Sequence, residues 1–139
     1  MSFKFDRDAA FVGAFRTIQR EVHKTAKEKG WWAVPNPAII AGLQIEGIME
    51  RNELYSLFPN QAEKIALMHS ELSEALEGLR TEAFSDKIGE FRAVEEELAD
   101  LVIRAMDFCE YFGYDLAGAI VAKAAYNKGR SFMHGGKKF

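Results

Sequence analysis

Cysteine is all but missing from this chain. Cys109 stands alone among 139 residues, so no intrachain disulfide can form and no cysteine-built zinc site exists. That usage fits a reducing cytoplasm, the expected compartment. Long apolar runs are missing too. None approaches the roughly 20 residues needed to cross a bilayer, and the opening "MSFKFDRDAAF" is charged early, without the apolar centre of a signal peptide. A membrane is therefore not an expected partner. Basic excess is a third absence: 18 lysines and arginines against 21 aspartates and glutamates give a formal net charge of -3. Duplex-binding domains are more often basic, which argues against a nucleic-acid polymer. A small phosphate-bearing ligand needs only a local concentration of basic residues and stays admissible. Sustained period-two alternation, internal repeats and low-complexity segments are also lacking, so no strand is expected.

What is present is a folded-domain composition, 48% hydrophobic and 28% charged, long enough for one domain over residues 1–139 with its own core. Phe11, Phe15, Ile18 and Val22 recur at helical spacing and predict a first helix from about Asp8 to Gly30, where glycine is a natural stop. Pro35, Pro37 and Pro59 punctuate an extended connection at about 31–60, in which residues 38 to 57 have room for one or two short helices. A second helix is predicted over about 61–80, with Ile65, Met68, Leu72, Ala75, Leu76 and Leu79 as its apolar stripe. A third runs over about 90–112, with Val94, Leu98, Leu101, Ala105, Phe108 and Phe112 on one face. Asp115 is a good N-cap for a fourth, to about Arg130. Short connections between the last three favour antiparallel neighbours. The expected fold is all-α, an antiparallel four-helix-bundle-like core.

Two of these helices carry carboxylates beside the apolar stripe. At about 100° per residue, Glu71 and Glu74 lie roughly 90° and 150° from the stripe centred near Leu72 and Leu79. Glu97 and Asp100 lie at the same offsets, in the same sense, from the stripe centred near Val94 and Ala105. Antiparallel packing turns the same flank of each helix to the other, so the four carboxylates should converge along one edge. Grouped carboxylates repel and raise one another's pKa values unless a cation sits among them. An all-oxygen donor set suits Mg²⁺ or Mn²⁺, or Ca²⁺, rather than a soft metal. A single ExxE pair is an ordinary solvated helix face; two at matched offsets on adjacent helices favour a metal cage. Glu95 and Glu96 fall on other faces and read as solvent or helix-dipole residues. Di-iron bundles need Glu-x-x-His, which neither pair provides.

The fourth helix carries the complementary charge. Leu116, Ile120, Lys123, Asn127 and Arg130 follow one line that begins apolar and turns polar. The line is either a solvated helix end or, beside an acidic metal edge, a lysine, an amide and an arginine for phosphate oxygens. The tail "HGGKKF" adds His134, Lys137 and Lys138 around a glycine pair whose backbone N–H groups suit an anion.

Taken together, "EKIALMHSELSEALEGLR", "EEELADLVIRAMDF" and "KAAYNKGRSFMHGGKKF" resemble the MazG-like branch of the all-α nucleoside triphosphate pyrophosphohydrolases. The resemblance rests on Glu71 and Glu74, Glu97 and Asp100, and Lys123, Asn127 and Arg130, with "HKTAKEKGWW" similar to the end of that family's first helix and Asn60 to an asparagine preceding the ExxE helix. It covers about residues 10–30 and 60–139; residues 33–58 depart from it. The resemblance implies hydrolysis of a (deoxy)nucleoside triphosphate to the monophosphate and pyrophosphate, with Mg²⁺ or Mn²⁺, by a homodimer or a tetramer built from dimers. It makes Glu71, Glu74, Glu97 and Asp100 the metal-binding and catalytic set; Glu74, further round its helix from the core, is the preferred general base. Substrate contacts would come from Lys123, Asn127, Arg130, Asn60 and Lys137. Trp31 and Trp32 are candidates for stacking on the base, although tryptophans of small helical proteins more often serve core or interface. Two other readings use the same residues: a non-catalytic nucleotide- or metal-binding regulator, and a helical interaction module with an acidic face.

Overall fold

A computed structural model describes residues 9–32, 41–42 and 59–131. Most of the extended connection, including almost all of residues 38–57, and the tail residues His134, Lys137 and Lys138 lie outside the described residues. Four long helices are described: α1 (Ala9–Glu28), α2 (Gln61–Thr81), α3 (Ala93–Phe112) and α4 (Leu116–Lys128). Among the described residues there is no strand, only an isolated bridge between Phe84 and Arg92 that closes the α2–α3 connector. The fold is all-α to that extent.

The helix ends follow from local chemistry. Asn60 caps α2: its side-chain oxygen accepts from the Ala62 N–H at 2.9 Å, satisfying a donor the first turn leaves free. Asp115 caps α4 through the Gly118 N–H at 3.1 Å. Gly30 and Gly113 end α1 and α3 with φ of 84° and 73°, a conformation in which a Cβ is strained. Glu82 occupies the same left-handed region at φ 50° after α2, without glycine's freedom.

α3 is the central element. It packs along α2 on one side and α1 on the other, while α4 rests mainly on α1. Both α3 pairings are antiparallel, because the partner numbers run oppositely: Gly78 meets Val94 and Glu71 meets Arg104, while Gln19 meets Glu110 and His23 meets Asp107. Of the expected apolar stripe of α2, Ala75 is buried but the leucines are not. Leu76 and Leu79 are 56% and 61% exposed, and Leu72 is exposed as well, while Glu71, Ala75 and Gly78 are buried. The reason is steric. A Cβ at Gly78 would stand 2.9 Å from the Val94 nitrogen, so the helices touch along a line of small residues that a leucine row cannot match. The buried core of the described residues is correspondingly small: Trp32, Ala75, Met106, Phe108 and Ala117.

Candidate metal centre and adjoining pocket

The contact line between α2 and α3 carries Glu71 inward. Its side chain is almost fully buried, and Glu97 from the first turns of α3 is buried beside it. Carboxylate oxygens of Glu71, Glu97 and Asp100 all lie within 4.8 Å of one another. At that spacing each pair of unit charges repels by about 3 kcal/mol at an effective dielectric near 20. Three such pairs approach the whole stability of a small domain, roughly 5–15 kcal/mol. The cluster must therefore be neutralised.

Two devices on the protein do part of this. Arg104 Nε donates to Glu71 Oε1 at 2.6 Å, a short charge-assisted bond. Glu97 takes up a proton more readily than an ordinary glutamate. Burial raises its pKa, and the charge of Glu74 and a hydrogen bond with Glu71 raise it further. Glu74 is exposed and stands outside the three-residue cluster, yet close enough to Glu97 to act on its charge. Three of the four expected carboxylates thus converge, and the fourth sits on the rim.

Glu96 departs from the solvent half of its sequence reading, although it does lie in the first turn of α3. It is buried, not solvated. The Lys87 ammonium lies 2.8 Å from its Oε1, and hydrogen bonds from Lys87 and Ser85 pull its pKa below the usual carboxylate range. Lys87 comes from the connector, whose turn is held by Ser85 Oγ accepting from the Lys87 and Ile88 N–H groups. Glu95 closes the start of α3 by accepting from the Arg92 N–H at 2.8 Å.

Beyond Asp100 and Arg104 opens a pocket of about 600 Å³ between α1 and α3. Its apolar wall includes Ile18, Val22, Ile103 and Phe108, and Trp31, Lys29 and Lys64 also line it. The two tryptophans differ sharply. Trp32 is buried, with Tyr111 stacked 4.0 Å away at 12°. The Lys64 ammonium lies 4.4 Å from its ring centroid, so both faces are covered. Its Nε1 donates to Asp107 at 2.8 Å, and Asp107 also meets His23 Nδ1 at 2.7 Å. Trp31 is 61% exposed and keeps an open ring.

The remaining expected site residues are separate from this centre. Lys123 and Asn127 on α4 and Arg130 just past its end are exposed, and among the described residues no hydrogen bond or ion pair ties them to the acidic cluster. Lys123 and Arg130 instead flank the Tyr126 ring. Asn60 serves as the α2 cap. Lys137 lies outside the described residues. Sequence reasoning missed Arg104, Lys87 and the His23–Asp107–Trp32 group. Arg104 and Asp107 did have a signal, since Glu97, Asp100, Arg104 and Asp107 share one face of α3 at i, i+3, i+7 and i+10. Lys87 had none, because its reach depends on the path of the connector.

Compared with protein families, curated proteins and solved structures, the chain matches none. Among the described residues, no helix is long and apolar enough to cross a membrane.

Proposed function

We propose that this protein is a metal-dependent nucleotide pyrophosphohydrolase, converting a (deoxy)nucleoside triphosphate to its monophosphate and pyrophosphate. The observation that carries this reading is the convergence of Glu71, Glu97 and Asp100 within 4.8 Å, beside a largely apolar pocket that Asp100 also lines. An all-carboxylate donor set suits Mg²⁺ or Mn²⁺, and Arg104, held at Glu71 Oε1, is a single cation beside three grouped carboxylates. The resemblance to MazG-like pyrophosphohydrolases in the ExxE, ExxD and Lys–Asn–Arg residues points the same way.

In this reading Glu71, Glu97 and Asp100 hold the cation. When bound, it supplies charge neutralisation on phosphate oxygens and a lowered pKa for water at the site. Glu74, on the wet rim of the cluster, accepts the proton of the attacking water. That water's oxygen bonds to phosphorus in line as the phosphoanhydride bond to pyrophosphate breaks. Trp31 offers its open ring to the base, and Trp32 holds the pocket wall. Phosphate contacts by Lys123, Asn127 and Arg130 require α4 to approach the acidic edge, in the ligand-bound chain or from a second copy. The exposed leucine row of α2 supports a homodimer, or a tetramer built from dimers.

The test is pyrophosphate release from a panel of ribo- and deoxynucleoside triphosphates with Mg²⁺, with Mn²⁺ and with chelator. Metal-dependent release from a subset supports the proposal and names the substrate. Nucleotide-dependent thermal stabilisation without any product would replace it with a non-catalytic regulator.

A further inference from the structure

Arg104 is placed to do more than neutralise Glu71. A guanidinium presents five N–H donors in a rigid fork. The Glu71 contact uses Nε, and no other hydrogen bond or ion pair of the Arg104 side chain occurs among the described residues. The side chain is one-third exposed and lines the 600 Å³ pocket beside Asp100. Among the described residues no acceptor claims its two Nη groups.

We propose that Arg104 is a phosphate-binding residue, holding Glu71 with its Nε and a phosphate group of a polyphosphate ligand with its Nη groups. The inference rests on the metal-dependent reading above and assigns a substrate contact within it. The charges around the pocket set a condition. Lys29, Lys64 and Arg104 balance Glu21, Asp100 and Asp107 along its lining, and Glu71, Glu74 and Glu97 next door make the site net negative. An anion is repelled until a divalent cation is bound, so polyphosphate binding is conditional on metal.

The experiment uses the full chain, wild type and with Arg104→Gln or Arg104→Lys. Mn²⁺ affinity is measured first, by the loss of the free-ion paramagnetic resonance signal. Binding of inorganic tripolyphosphate is then measured by calorimetry, with each protein at a Mn²⁺ concentration that saturates it, and again in chelator. We expect wild-type binding with Mn²⁺ and none in chelator. Arg104→Gln should weaken tripolyphosphate binding by about tenfold or more even at saturating metal, the scale of a lost charge-assisted contact. Arg104→Lys, a point charge without the fork, should recover only part of it and serves as the reading if the glutamine variant does not fold. A deficit that disappears once metal saturates would make Arg104 a positioning residue of Glu71 alone and overturn the inference, leaving the pyrophosphohydrolase reading intact. Wild-type protein that binds no Mn²⁺ would overturn both.

Discussion

Gly78 and Val94 set the distance between the two helices that carry the acidic cluster. A methyl group at Gly78 would lie 2.9 Å from the Val94 backbone nitrogen and 3.1 Å from the Ala93 Cβ. Backbone cannot yield as a flexible side chain does. Gly78→Val should therefore destabilise the fold by about 1–3 kcal/mol, as overpacking does, and weaken Mn²⁺ binding by spreading Glu71 from Glu97. Chemical denaturation and a metal titration of the same variant check both effects; an unchanged midpoint would show that α2 and α3 tolerate a wider spacing.

The carboxylates are expected to be separable from the fold. Glu71→Gln keeps an acceptor for Arg104, and Asp100→Asn keeps the size of a half-buried group, so each should retain its helical signal. Turnover should fall by at least about 100-fold in either, since each removes an anionic ligand. Full activity with Mg²⁺ in a purified variant would disprove the proposed cage.

Stability should depend on pH through Glu97. Its folded pKa is raised by burial, by Glu74 and by Glu71, so the folded state holds a proton that the unfolded chain releases near pH 4.3. The metal-free protein should therefore lose stability as pH rises from that value through the raised one. Glu96 and Asp115 act oppositely. Their pKa values are lowered, chiefly by hydrogen bonds from Lys87 and Arg16, so their contributions are present above the ordinary carboxylate range and vanish below it. Denaturation midpoints across this range, in chelator, should show the upper loss in wild type and its absence in Glu97→Gln. Added Mn²⁺ should reverse the upper loss.

The two tryptophans should part company on mutation. Trp32 is enclosed by Tyr111, Phe112, His23 and Lys64 and bonded to Asp107. Trp32→Ala should cost about 3–5 kcal/mol, the range for a large buried aromatic. Trp31→Ala should leave the melting temperature nearly unchanged while weakening nucleotide affinity, a pairing that thermal melts and calorimetry resolve.

The leucine row of α2 gives an oligomer test. Leu76 is more than half exposed in the single chain, so Leu76→Glu should hardly affect the fold of one copy. If copies associate through this face, the variant should run as a monomer by light scattering where the wild type is larger. Equal masses would remove α2 from the interface.

Helix positions were legible in the sequence because their signals are local. Gly30, Gly113 and the Asp115 cap act within a turn of the backbone they control, and the grouping of Glu71, Glu97 and Asp100 followed from helix periodicity and antiparallel order. Which face of α2 turns inward was decided by tertiary structure. Periodicity weighs apolar side chains and centred the stripe, Ala75 included, near Leu72 and Leu79, but close approach of two helices is limited by side-chain bulk, and the contact line runs through Ala75 and Gly78. That rotation also set Glu74 on the rim while Glu71 went inside. The partners of the buried charges were likewise tertiary: Arg104 meets Glu71 across a helix interface, and Lys87 meets Glu96 through the path of a loop. No spacing along a single helix specifies such contacts, because each depends on where a second segment lies in space.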